Sequence, residues 1–251
     1  MTPILIGIVT FLCTFGGTWA GMRLRGVLPG HHLSKESNDT IRIGIGLIAT
    51  MTALILGLVT ASAKGSFDDV NKAIKEAAGN VLVLDRMLVK YGPETAELRA
   101  KLKIALAERI EMTWPREGWR APRDPFQAPP GAEMLEGLIR SLAPKTEEQR
   151  LLQAKSLDLC ESLMNVRWHI YVGLGSSIPV PFFAMLLFWL TITFTSFGLF
   201  APKNTTVVLV LFLCSLSVAG AVFLVLEMDG PFSGLIKVSP QPLQIALAHM
   251  L

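Results

Sequence analysis

The chain has 251 residues, 51% of them hydrophobic and 17% charged, with a formal net charge of +3. Soluble domains carry about 25% charged residues, and the shortfall here is concentrated: four stretches are nearly free of charge, while charges are dense between residues 64 and 168. So small a net charge, with no basic block interleaved with aromatics, argues against nucleic acid as a partner. It leaves a lipid bilayer as the first one, since a charge at the bilayer centre costs about 2.5–3.5 kcal/mol.

A helix needs about 20 apolar residues to cross the hydrocarbon core. With water absent, each segment must satisfy its own backbone groups, which a helix does. The first span is predicted from Pro3 to Met22. It lacks a basic leader and a small-residue cleavage site, so it is read as a retained span rather than a signal peptide. The second runs from Ile41 to Ala63, the third from Ile170 to Phe200, and the fourth from Thr205 to Met228. Arg167, Trp168, His169 and Tyr171 open span three as an aromatic and cationic interface belt.

The expected fold is all-α: a polytopic membrane protein with four transmembrane helices and a helical extramembrane domain between helices two and three. Its segments are 1–63, 64–168, 169–229 and an interfacial C-terminal stretch, 230–251. Cations around the short 23–42 loop and around the large domain nearly balance, so charge alone does not assign the sides.

Span two carries small or hydroxyl residues at Gly46, Thr50, Ala53, Gly57 and Thr60, with Lys64 following. Steps of four and three place them on one helical stripe. Such a stripe lets another helix approach closely where lipid supplies no hydrophobic force. It serves either as a packing face inside one subunit or as the lining of an axial pathway in a homo-oligomer, with threonine hydroxyls offered to inorganic ions. Leu47, Leu54 and Leu58 lie on other faces.

In span three, Pro179 and Pro181 remove two backbone donors and predict a helix break. The break is read as a structural kink or as an opening onto a pathway. In span four, Ser215, Ser217, Ala219, Gly220 and Ala221 are packing signals. Glu227 and Asp229 end that span as solvated interfacial carboxylates or as charges at a pore mouth, with Lys64 as a third pore-mouth candidate.

In the water-facing part, Phe67, Val70, Ile74, Ala78, Val81, Leu84 and Leu88 recur with helical spacing. Tyr91-Gly92-Pro93-Glu94 closes that helix and opens another, carrying Leu98, Leu102, Ala105 and Ile110. Residues 115–131 form a Pro/Gly-rich loop. A helix follows from Ala132 to Leu142, and a long one opens after Pro144.

No phosphate-cradling loop, nucleophile elbow or paired-cysteine motif is present, so no enzyme activity and no cofactor are expected. Cys13, Cys160 and Cys214 read as small hydrophobes. His31-His32 lacks the neighbours of a metal site, and none is expected. Asp85 and Arg86, amid Leu84 and Leu88, point to structural ion pairs.

Several long strings carry a family resemblance: HHLSKESNDTIRIGIGLIATMTALILGLVTASAK at 31–64, LDRMLVKYGPET at 84–95, IPVPFFAMLLFWL at 178–190, SFGLFAPKNTTV at 196–207 and LEMDGPFSGLIKVS at 226–239. In this order they resemble bacterial bestrophin-like membrane proteins of unknown function. Bestrophins are pentameric ion channels with four membrane helices per subunit and a large cytosolic helical part, and their second membrane helix lines the pore. The resemblance implies a homo-oligomer in the bacterial inner membrane, a cytoplasmic large domain and a pore along the 46–60 stripe. Two departures stand out. The bestrophin neck is bulky and apolar where this stripe is small and hydroxylated, and no acidic cluster matches the animal calcium clasp. The alternative expectation is a membrane-anchored interaction or scaffold protein without transport activity.

Overall fold

The computed structural model describes residues 3–28, 35–115, 131–173, 180–202 and 204–250. Among them every regular element is helical. They are α1 (Pro3–Val27), α2 (Lys35–Tyr91), a single 3-10 turn (Pro93–Thr95), α3 (Ala96–Thr113), α4 (Gly131–Arg140), α5 (Glu147–Gly173), α6 (Val180–Phe200), α7 (Thr205–Met228) and α8 (Gln241–His249). Four helices are long and apolar enough to cross a membrane: α1, α2 within Asp39–Tyr91, α6 from Pro181 and α7. The protein is an all-α polytopic membrane protein.

The chain divides into two compact units, and the division falls inside α2, between Phe67 and Asp68. The first holds residues 1–67 and 176–236; the second holds 68–175 and 237–251.

In the first unit α1 packs along both α6 and α7. Its buried residues are Gly7, Thr10, Thr14, Gly17, Thr18 and Gly21, a stripe of small side chains. The helices approach so closely that a Cβ on Gly21 would fall on the Thr195 carbonyl oxygen, and one on Gly198 on that of Thr18. The buried threonines bond back to the preceding turn, Thr14 to the Thr10 carbonyl at 2.8 Å and Thr18 to that of Thr14 at 3.1 Å. No hydroxyl among these is left bare in the dry interior. The ends are fixed by polar groups. Arg23 stacks on the Trp19 ring at 3.6 Å, Arg25 donates to the Ala201 carbonyl, and Asn204 caps α7 by accepting from the Thr206 amide at 3.0 Å.

In the second unit the helical repeat of residues 70–88 is buried as its spacing requires: Val70, Ile74, Ala78, Val81, Leu84 and Leu88. Leu98, Leu102, Leu106 and Ile110 of α3, Leu135 and Ile139 of α4, and Leu243 and Ala246 of α8 complete this core. Thr95, fully buried, donates to the Leu88 carbonyl at 2.6 Å and anchors the turn out of α2. Gly92 there has φ of +139°, which favours glycine. Asp85 is buried and pairs with Arg99 at 3.0 Å, so its ion pair is structural, with a partner on α3. Burial, followed by Glu136, pushes the Cys160 thiol up to about 11, so it stays protonated and inert at neutral pH.

The C-terminal residues make contacts that composition does not show. Residues 230–251 were expected as one interfacial segment, yet from Lys237 onward they join the second unit. The Trp114 indole donates to the Val238 carbonyl at 2.8 Å, Arg86 to that of His249 at 2.9 Å, and Lys103 to that of Met250 at 3.2 Å. Arg86 on α2 and Lys103 on α3 thereby satisfy carbonyls at the C-terminal end of α8, which that helix cannot bond itself. Of span three, expected from Ile170 to Phe200, the stretch Pro181–Phe200 is long and apolar enough to cross a membrane, and residues 174–179 lie outside the described residues.

Candidate functional site

The membrane part of α2 has three faces. Its packed face carries Ile55, Leu56, Val59 and Ala63, which meet Leu186, Leu190 and Phe194 of α6 and Val225 of α7 in two small apolar clusters. Thr52, also buried, bonds back to the Ile48 carbonyl at 2.7 Å. A second face carries Leu47, Leu54 and Leu58, each more than 60% exposed. The third is the stripe itself. With about 100° of turn per residue, its centre lies about 100° from the leucines and about 125° from the packed face.

Gly46, Thr50, Ala53, Gly57 and Thr60 are all exposed, as is Lys64. A Cβ on Gly46 or Gly57 would meet nothing within 4 Å. Only 6% of the apolar window of α2 is buried in the chain, against 33% for α1. Among the described residues no helix packs on this stripe. The close packing inside the chain is made by α1, whose stripe at 7–21 has a similar spacing in the sequence. Thr50 and Thr60 donate to the Leu47 and Leu56 carbonyls at 2.8 and 2.7 Å. Their donors are spent on the helix, and their oxygens remain on an open face with acceptor capacity.

Glu227 departs from both of its sequence readings. It is 3% exposed. Its carboxylate accepts from the Leu235 amide and, at 3.3 Å, from the Ile236 amide, so the loop after α7 folds back onto it. Gly234 has φ of +83° and lies so close that any Cβ there would strike the carboxylate. A charge leaving the membrane cannot stay bare in a dry turn, and backbone amides replace its water. Asp229 is half-buried just beyond α7, its amide donating to the Val225 carbonyl at 3.2 Å.

Pro181 is the second residue of α6, in the first turn, where a proline is tolerated. Pro179, His31 and His32 and most of the 115–131 loop lie outside the described residues. At the predicted interface belt, Arg167 pairs with Glu133 at 3.1 Å and lies 5.8 Å from the Trp168 ring.

The site brings together five stripe residues on one uncovered face and separates Glu227 from them in role. A family model described as the bestrophin-like domain matches residues 8–243. No curated protein matches the chain. The matched region takes in all four candidate spans apart from the first residues of α1, together with α3, α4, α5 and the start of α8, and the chain belongs to the bestrophin-like family.

Proposed function

We propose that the protein is a homo-oligomeric ion channel of the bacterial inner membrane, with the Gly46–Thr60 face of α2 lining an axial pathway. One observation carries the reading. That face is small and hydroxylated, lies open in the single chain, and is set apart both from the packed face and from the leucines. Lipid suits the leucines and gains nothing from a row of glycines and threonines. Copies arranged in a ring turn the stripe to an axis, where threonine oxygens meet partly hydrated ions and the glycines set the width. Lys64 and Asp229 remain mouth candidates, whereas the Glu227 carboxylate is already engaged by loop amides.

The test is recording from purified protein in planar bilayers, joined to cysteine substitution along α2. Conductance is expected, with block by a water-soluble thiol reagent at positions 46, 50, 53, 57 and 60 and none at 47, 54 and 58. Silence across several salts, at the level of empty liposomes, would refute the channel. It would favour a membrane-anchored interaction protein acting through the exposed surface of the second unit, where Glu76, Asp158 and Glu161 border an open groove.

A further inference from the structure

The second unit contains a small cleft that the channel reading does not use. It lies between α3 and the start of α4, with a volume of about 130 Å³. Ile104, Ala105, Met112 and Met134 form apolar walls, and Lys101 and Arg109 supply the cations. The Lys101 ammonium is engaged by Glu97 at 2.8 Å. Glu108, the carboxylate at the rim, is exposed.

Arg109 is the anomaly. It is half-buried, and among the described residues no hydrogen bond or ion pair engages its guanidinium. The nearest compensating carboxylate, Glu133, is gripped by Arg167 through both oxygens, at 3.1 and 3.2 Å. Burial first, and the Arg167 charge second, work against the Arg109 cation, and Glu133 offsets them only in part. A guanidinium does not shed its proton in proteins. Among the described residues the Arg109 guanidinium therefore lines the cleft with no carboxylate bonded to it.

We infer that this cleft binds an oxyanion carrying a short apolar substituent, seated on the Arg109 guanidinium with its apolar part against Met112 and Met134. The planar fork of arginine matches carboxylate and phosphate oxygens two at a time. The methionines are adaptable walls for the attached carbons. An occupant of this class supplies an oxyanion partner for Arg109 that no described residue provides, and the inference stands apart from whether α2 conducts ions.

Equilibrium dialysis of the full-length protein in nanodiscs, with empty nanodiscs as background, tests it. The probes are radiolabelled hexanoate, hexanol and inorganic phosphate. Hexanoate is expected to bind, with phosphate weaker and hexanol weaker still, because only hexanoate uses both the cation and the walls. Phosphate binding more tightly than hexanoate would assign the site to free phosphate and overturn the apolar part of the inference. R109Q is expected to weaken hexanoate about tenfold or more, equivalent to about 1.4 kcal/mol. R109K, which keeps the charge and loses the fork, should fall between. The thermal midpoint of R109Q without ligand should equal or exceed that of the parent, since a half-buried cation has been removed. Equal binding of hexanol and hexanoate, undiminished binding by R109Q, no binding of hexanoate at low-millimolar concentration, or a lowered R109Q midpoint would each overturn the inference.

Discussion

Helices α1 and α2 carry the same kind of stripe and put it to opposite use. On α1, Gly7, Thr10, Thr14, Gly17 and Gly21 step by three and four residues and are buried against α6 and α7. On α2, Gly46, Thr50, Ala53, Gly57 and Thr60 step by four and three and are exposed. Threonines on both stripes bond back to their own helix, Thr14 at 2.8 Å and Thr60 at 2.7 Å. Small size and helical period are thus shared. What differs is whether another helix of the same chain arrives. The lesson is that a small-residue stripe in a membrane helix permits close approach without specifying which helix, if any, of the same chain makes it.

The comparison breaks most readily at its tightest point. Gly21→Ala and Gly198→Ala are each expected to cost about 3 kcal/mol, at the top of the overpacking range, because the obstacle is a backbone carbonyl that cannot rotate away. The thermal midpoint in detergent should fall clearly for both. An unchanged midpoint would mean that α1 and α6 do not approach as closely as described.

A smaller loss is expected from the polar lock at the end of α7. Glu227→Ala leaves two loop amides without their acceptor and should cost about 2 kcal/mol. Limited proteolysis within residues 229–236 should speed up correspondingly. If cleavage and midpoint match the parent, the carboxylate is not what holds this loop, and its role at a pore mouth reopens.

The smallest effect is expected on the open stripe. Gly57→Ala meets nothing within 4 Å and should change stability by less than about 0.5 kcal/mol in either direction. A drop comparable to that of Gly21→Ala would show that the α2 face is covered in the isolated chain and would erase the contrast between the two helices.

Much of the second unit was legible because water enforces amphipathic periodicity: the buried row from Val70 to Leu88 and the turn at Gly92-Pro93 follow from spacing and turn chemistry. Arg99 as the partner of Asp85, and Arg167 as a partner of Glu133, were not legible. Ion pairing depends on which helices become neighbours, and residues 14 positions apart on different helices share no local pattern. Glu227 was misread for a similar reason. Sequence shows a carboxylate at a helix end, and only the return of the loop around Gly234 reveals the amides that enclose it.

By itself the sequence determined that the chain is all-helical, that four segments suit a bilayer, and which residues share a face. These follow from local composition and from the 3.6-residue period. Tertiary structure alone decided that α1 spends its small stripe inside the chain while α2 keeps its own open. Hydrocarbon rewards no apolar face over another, so the choice between them rests on the fit of backbone to backbone across helices far apart in sequence.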